Sequence, residues 1–182
     1  FRAEGDGSGE GWNHYSEHGM LRASNLHPDF WPDISEYAKT YPTSLTNKDG
    51  SVARVFSSID QSTTDLHFKW MKEYGIDGVF VQRFFGGLHS TENRKRSRVV
   101  LENAIKSSQK YGRAISVMYD LSGLRDNGEN CDAIIQDWKE LVDDLKVTSQ
   151  STNYYLYHRG KPLVVIWGLG VPDRGYNIRN IG

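Results

Sequence analysis

Beyond residue 50, the apolar positions of the chain alternate between short continuous runs and longer stretches of helical period. The runs predict strands, and those strands cover Ser51–Ser58, Ile76–Phe85, Ala114–Tyr119 and, on either side of a tight turn at His158–Lys161, Tyr154–Tyr157 and Pro162–Trp167. The amphipathic stretches predict three helices, which run from a cap at Thr63 or Thr64 to Tyr74, from Glu92 to Tyr111, and from a cap in Asn127–Asn130 to Lys146. Strands that alternate with helices are typical of βαβ units and a parallel sheet.

Residues 1–50 follow no such period and are predicted to form a long loop region. Five glycines lie among polar residues between Gly5 and Gly19, and three prolines follow between Pro28 and Pro42. The region is also rich in aromatic residues, which predicts that it packs against something; they are Trp12, Tyr15, Phe30, Trp31, Tyr37 and Tyr41. Asp49 and Gly50 mark a turn before the first predicted strand.

The length of 182 residues suits a single α/β domain over 1–182. Two architectures fit the order of the elements. A doubly wound sheet can be complete at this length, whereas a (β/α)8 TIM barrel takes at least about 200 residues. The chain begins at Phe1 and stops at Gly182 in a predicted loop, which favours a piece of a longer chain. On that interpretation the sequence holds only the first half to two-thirds of a barrel.

Composition narrows the function classes. The formal net charge of -1 argues against a nucleic-acid partner, which usually selects a large basic excess. A membrane span needs about 20 consecutive apolar residues, and the sequence contains no such run. The one cysteine, Cys131, excludes a disulfide framework and a cysteine-based zinc site. Aromatic residues make up 12% of the chain, and this is the feature that points towards a ligand.

Candidate chemistry lies where the predicted strands end, because parallel folds build their sites at the carboxyl ends of strands. Four segments lie there: Ser57–Asp60, Gln82–Phe84, Tyr119–Ser122 and Trp167–Gly168. Together they offer carboxylates, an amide, a guanidinium, a phenol and an indole. Aromatic faces beside polar groups suit sugar rings, which have apolar CH faces and many hydroxyls.

Each of these side chains also has a structural interpretation. Asp120 is a candidate general acid or base, or else it caps the loop that follows its strand. Arg83 comes at the end of a very apolar strand, so it serves either a ligand or a structural ion pair. Trp167 is either a platform for a sugar or part of the core. The three pairs of alternatives stay open on the sequence alone.

The segment His14–His18 matches the H-x-x-E-H pattern of inverted zincins. That chemistry needs both histidines on one face of a helix, and the glycines around the segment make a helix there unfavourable. A metal-dependent hydrolase using His14 and His18 is therefore a distant third hypothesis, and no metal is predicted. Neither a phosphate-binding GxxxxGK[ST] loop nor a full dinucleotide motif is present, so no cofactor is expected.

Four stretches resemble bacterial glycoside hydrolase family 71/99-like proteins, a group related to endo-α-mannosidases and α-1,3-glucanases and often described as xylosidase/arabinosidase. They are FRAEGDGSGEGWNHYSEHG, DGSVARVFSSIDQSTTDLHFKWMKEYGIDGVFVQRFF, SVMYDLSG and GKPLVVIWGLG, with GIDGVFVQRFF the most specific. The resemblance covers most of the chain. It implies the amino-terminal part of a (β/α)8 barrel whose site, on the carboxyl face, binds an oligo- or polysaccharide.

The resemblance also implies roles for individual residues. Asp120 is the catalytic candidate, and the substrate-binding candidates are Trp12, His14, Gln82, Arg83, Tyr119 and Trp167. The expected function is a glycosidase acting on an extracellular or periplasmic glycan, with the catalytic carboxylate pair of the family lying beyond Gly182. The alternative is a carbohydrate-binding barrel that has lost its catalytic acids.

Overall fold

The structure, a computed structural model, describes residues 1–9, 11–16, 20–125, 131–149 and 154–171. The chain divides into two compact units, Phe1–Trp70 and Met71–Gly182. The prediction of one domain over 1–182 stays a prediction. No helix among the described residues is long and apolar enough to cross a membrane.

The first unit contains a β-hairpin that the sequence did not predict. Its elements are a 3-10 helix Ala23–Asn25, strands β1 (Tyr41–Thr46) and β2 (Val52–Val55), and most of helix α1 (Gln61–Glu73). The predicted strand at Ser51–Ser58 is thus shorter, and it pairs antiparallel with β1 instead of joining a parallel sheet. β1 escaped prediction because it contains Pro42 and three hydroxyl residues, a composition that resembles a loop. Proline is tolerated at a strand edge, where no ladder donor is required.

The glycine-rich start of the chain is packed, as its aromatic residues predicted. A buried cluster joins it to the hairpin, and its members are Ala3, Trp12, Tyr15, Leu21, Tyr41 and Val55. Tyr15 is fully buried, and its hydroxyl donates to the carbonyl of Phe56 at 2.7 Å. The prediction was wrong for Phe30 and Trp31, which are 88% and 37% exposed.

A second aromatic cluster surrounds His67 of α1. Tyr37 stacks on Phe56 with 4.6 Å between ring centroids, and His67 stacks on Trp70 at 5.5 Å. The Tyr37 hydroxyl and His67 Nε2 form a hydrogen bond of 2.7 Å. Burial among these rings is the main cause that lowers the pKa of His67 below its ordinary value of 6.5, and burial also raises the pKa of Tyr37 to about 12.

This burial of His67 predicts a pH-dependent stability. Below pH 6.5 the unfolded chain binds a proton at His67 that the folded chain resists, so the free energy of unfolding falls as the pH drops below that value. One such group contributes a slope of at most about 1.4 kcal/mol per pH unit. Urea unfolding between pH 7 and 5 should show a shallower slope for His67→Gln than for the wild type. The exposed histidine variant His158→Gln serves as control, and equal slopes in all three proteins would contradict the prediction.

The second unit is built on a parallel sheet, as the alternation of strands and helices predicted. Its elements are β3 (Gly78–Phe84), α2 (Phe85–Leu88), α3 (Thr91–Tyr111), β4 (Ala114–Asp120), α4 (Asp132–Asp143), β5 (Tyr157–His158), β6 (Lys161–Pro162) and β7 (Val164–Trp167). The order in the sheet is β3-β4-β7, with both pairings parallel. β5 and β6 form a separate short hairpin across the predicted turn. The described strands thus make an open sheet of three, and closure into a (β/α)8 barrel stays a prediction.

Local signals account for the helix and strand boundaries of this unit. The Ser90 hydroxyl caps α3 by accepting a hydrogen bond from the backbone N–H of Asn93, and Gly112 ends the helix with a φ of 64°. Gly78 is required at the start of β3, because a Cβ there would collide with the carbonyl oxygen of Ala114 on the paired strand. The sequence predicted a loop over Gly86–Ser90, but the first three of these residues belong to the one-turn helix α2.

Helix α4 begins at Asp132, after Cys131 at its N-cap position. The capping residues predicted at 127–130 lie outside the described residues. The thiol of Cys131 makes no capping hydrogen bond, and burial together with the charge of Asp132 raises its pKa. A raised pKa disfavours the thiolate, the form in which a cysteine acts as a nucleophile.

Candidate functional site

The carboxyl ends of β3, β4 and β7 lie side by side. Phe84, Asp120 and Trp167 are register partners across the three strands, and one step earlier Arg83 aligns with Tyr119 and Ile166. Register partners share a face of the sheet, and successive residues alternate between faces. The predicted strand-end residues of this unit therefore separate into two groups, one on each face.

One face, here called the open face, presents aromatic rings to solvent. Phe80, Phe84 and Trp167 are 47%, 44% and 45% exposed. Gln82 lies between the two phenylalanines on the same face of β3 and is also exposed. Surface aromatic residues are common singly, so three on one face of a parallel sheet form an unusually apolar exposed face.

Asp120 and Gln82 form a polar pair within the open face. Gln82 Nε2 donates to Asp120 Oδ2 at 2.5 Å, and the backbone N–H of Ser122 donates to Oδ1 at 2.8 Å. Both oxygens of the carboxylate thus accept hydrogen bonds, the arrangement that an ionised aspartate favours. Asp120 is only 3% exposed, and its hydrogen bond with Gln82 Nε2 orients the Gln82 amide. The amide oxygen and the second N–H of Gln82 are the groups left for a ligand.

The opposite face, here called the helix face, holds a buried charge network with α4. Arg83 Nε donates to Asp137 Oδ2 at 2.8 Å, and Arg83 Nη2 donates to Oδ1 at 2.5 Å. The Tyr119 hydroxyl donates to Asp137 Oδ2 at 2.6 Å. All three residues are buried. Burial, and then the negative charge of Asp137, raise the pKa of Tyr119, so the phenol stays protonated as a donor.

Of the two interpretations of Arg83, the structure therefore supports the structural one, because Arg83 forms an ion pair with Asp137. Arg83 and Tyr119 lie on the face opposite Gln82, Asp120 and Trp167, and the predicted strand-end residues are not one cluster. Their assignment to substrate binding stays a prediction. The geometry brings together Gln82, Asp120 and Trp167, with Phe84 as a neighbour that the analysis of single positions did not select.

Asp137 is the partner of Arg83 in this ion pair, and the sequence analysis did not identify it. It lies on the apolar stripe of α4, three residues after Ile134 and four before Leu141, and all three side chains are buried. A carboxylate on such a stripe is the signal that could have revealed it, because a buried charge needs an opposite charge nearby. The partner itself could not be read from the sequence, since Arg83 is 54 residues away.

The remaining two candidates, Trp12 and His14, belong to the first unit. Trp12 is buried in the core cluster of that unit. His14 is exposed, has a φ of 65°, and its ring lies 5.8 Å from that of Phe1 and 6.4 Å from that of His27. His18, the second histidine of the zincin-like pattern, lies outside the described residues. Within the described ranges no group of three or more His, Cys, Asp or Glu side chains could hold a metal ion.

Comparison with known proteins gives a weak structural likeness. No protein-family model matches the chain. No curated protein matches it either. Among solved structures it is similar to the GH99 endo-alpha-mannosidase from Bacteroides thetaiotaomicron in complex with BIS-TRIS-propane, with a TM-score of 0.43 and 14% sequence identity. The match covers 84% of this chain and 39% of the mannosidase chain, so this chain spans well under half of that protein. A likeness at this level assigns the chain to no family.

The buried network predicts a large effect of removing Asp137. Asp137→Ala leaves Arg83 buried without its counter-charge, which should cost about 3–5 kcal/mol of unfolding free energy. Urea denaturation measures this loss. Glu140→Ala is the matched control on the same helix, because the Glu140 carboxylate is partly exposed and lies 3.6 Å from Arg94. The control should change stability by less than about 1 kcal/mol. Similar losses in the two variants would show that the Asp137 network is not the stronger constraint.

Proposed function

We propose that the open face binds a sugar ring of an extracellular oligo- or polysaccharide, and that the site serves glycoside hydrolysis. One observation carries the proposal. A fixed carboxylate–amide pair, Asp120 and Gln82, lies beside half-exposed aromatic rings at the carboxyl ends of parallel strands. This edge is where parallel α/β folds place their sites.

The spacing of the rings supports a sugar as the ligand. Phe84 and Trp167 flank Asp120 in register, so two strand spacings separate their backbones, about 10 Å. Aromatic rings gain by covering the apolar CH faces of a sugar. The Gln82 amide offers an acceptor and a donor to ring hydroxyls. Small-molecule sites commonly combine apolar walls with a few oriented polar groups in this way.

The proposed hydrolytic role of Asp120 follows from its hydrogen bonds. Glycosidases place two carboxyl groups across the scissile bond, one of them protonated and the other ionised. Asp120 accepts hydrogen bonds on both oxygens, so we assign it to the ionised partner, which stabilises or attacks the anomeric centre. For the reaction to proceed, the Gln82 side chain has to move away from the Asp120 carboxylate so that one carboxylate oxygen can reach the substrate. The protonated partner would come from outside the described strands.

Carbohydrate binding without hydrolysis is the second candidate. It is favoured because Asp120 is the one carboxylate among the described strand residues of the open face. A lone carboxylate cannot supply both the acid and the ionised partner. A binding protein would use Asp120 solely to orient Gln82.

The aromatic contact predicts a paired outcome on β7. Trp167→Ala should weaken binding of a neutral oligosaccharide by about tenfold, because stacking on an aromatic face contributes about 1 kcal/mol or more. Calorimetric titration with tetrasaccharides from α-mannan, α-glucan and xylan measures the affinity. Ile166→Ala is the control, since this neighbour is also exposed but belongs to the helix face. Equal affinities of the Trp167 variant and the wild type for every sugar that binds would contradict the open-face site.

Asp120→Asn separates the two candidate functions. If the protein hydrolyses a glycan, this near-isosteric change should lower kcat by about 100-fold or more while the unfolding free energy changes little. Release of reducing ends from the same three glycans measures turnover, and urea denaturation measures stability. Unchanged turnover would remove Asp120 from the catalytic site. Binding by the wild type without any release of reducing ends would support the binding protein instead.

A further inference from the structure

A second candidate site lies on the helix face of the second unit, apart from the open face. It is a cavity of about 190 Å³ between the sheet and helices α3 and α4, and its charged lining consists of Arg83, Arg94, Lys95, Arg98, Asp137 and Glu140. A water molecule takes about 30 Å³ of liquid volume, so the cavity has room for a polyatomic ion with part of its hydration. Neither candidate function uses this cavity.

The lining of the cavity is basic. Four cationic side chains face two carboxylates across it. Asp137 is already committed, because its oxygens accept from Arg83 and Tyr119. Glu140 lies 3.6 Å from Arg94, a contact near the outer limit for an ion pair. Arg98 is paired with Glu102 at 3.0 Å, so Lys95 is the lining cation that has no carboxylate partner among the described residues. The lining therefore keeps an excess of one positive charge in a space that low-dielectric walls partly enclose.

The guanidinium of Arg83 supplies the second, independent observation. Its Nε and Nη2 face Asp137, but its Nη1 is buried and finds no hydrogen-bond partner among the described residues. A buried charged donor without an acceptor is unfavourable, and native structures rarely leave one unsatisfied. Arg83 lines the cavity, and a small shift of the side chains that cover Nη1 would let an acceptor atom placed there meet this need.

We propose that this cavity binds a phosphate-type oxyanion. A tetrahedral anion presents several acceptor oxygens, so it can bind the side chains of Arg94 and Lys95 on α3 and, after a small shift of the side chains that cover it, the Nη1 of Arg83. The anion is either free phosphate or the phosphate group of a larger molecule, and both share this chemistry. The site is on the opposite side of the sheet from Gln82 and Asp120, so phosphate binding can be tested independently of the glycan proposal.

Calorimetric titration of the protein with inorganic phosphate, at constant ionic strength against chloride, tests the site. We expect saturable one-to-one binding. Arg83 variants are avoided because they disturb the buried network with Asp137. The double variant Arg94→Gln/Lys95→Gln removes two cavity charges from the accessible side of α3 and should weaken phosphate binding by about tenfold or more.

The matched control is the double variant Arg96→Gln/Lys106→Gln. It removes the same charge from the same helix at positions that do not line the cavity, and its affinity should stay within about twofold of the wild type. Absence of saturable phosphate binding, or equal weakening in both double variants, would overturn the proposal. Titration with glycerol 3-phosphate, which carries no sugar ring that the open face could bind, distinguishes the two sources: tighter binding than phosphate indicates a larger phosphorylated ligand, and weaker binding indicates the free ion.

Discussion

The second unit depends on the ion pair between Arg83 and Asp137, which is withdrawn from water. Removing two charges from solvent costs several kcal/mol each, and a forked geometry with a further donor is needed to offset that cost. The structure provides both, since Arg83 binds through two nitrogens and the Tyr119 hydroxyl adds a third hydrogen bond. The pair ties β3 and β4 to α4 and thereby decides which face of the sheet the helix covers.

The open face is a consequence of that choice. Side chains alternate along a strand, so once Arg83 and Tyr119 turn towards α4, their neighbours Gln82 and Asp120 must turn the other way. The same alternation exposes Phe84 and Trp167 beside them. The residues proposed to bind a glycan and the residues that form the buried network with α4 are therefore adjacent in sequence but separated by the thickness of the sheet. A one-residue register shift would exchange the two sets.

The sequence predicted the parts of this fold that local signals determine. Helical periods and terminal glycines located α1 and α3, and continuous apolar runs located β3, β4 and β7. Pairing was harder, because it depends on contacts between distant segments. Nothing in the run around Val52–Val55 shows that it pairs with the polar strand β1. The same limit applied to Arg83, for which both alternatives were visible but the choice required the position of Asp137. The sequence placed Gln82, Asp120 and Trp167 at strand ends, but it did not separate them from Arg83 and Tyr119 on the other face; their role in binding stays a prediction.

The hydrogen bond between Gln82 and Asp120 also determines which atom of the Gln82 amide faces a ligand on the open face. An amide that is free to rotate can offer its oxygen and nitrogen in either order, but Asp120 can only accept, so the nitrogen must point towards it. The outward oxygen is then always an acceptor. Any hydroxyl that meets this oxygen has to donate, and the next group in the same hydrogen-bond chain has to donate to that hydroxyl. Asp120 thus determines the donor-to-acceptor direction along a chain of hydroxyl groups that begins at Gln82, although it contacts none of those groups itself.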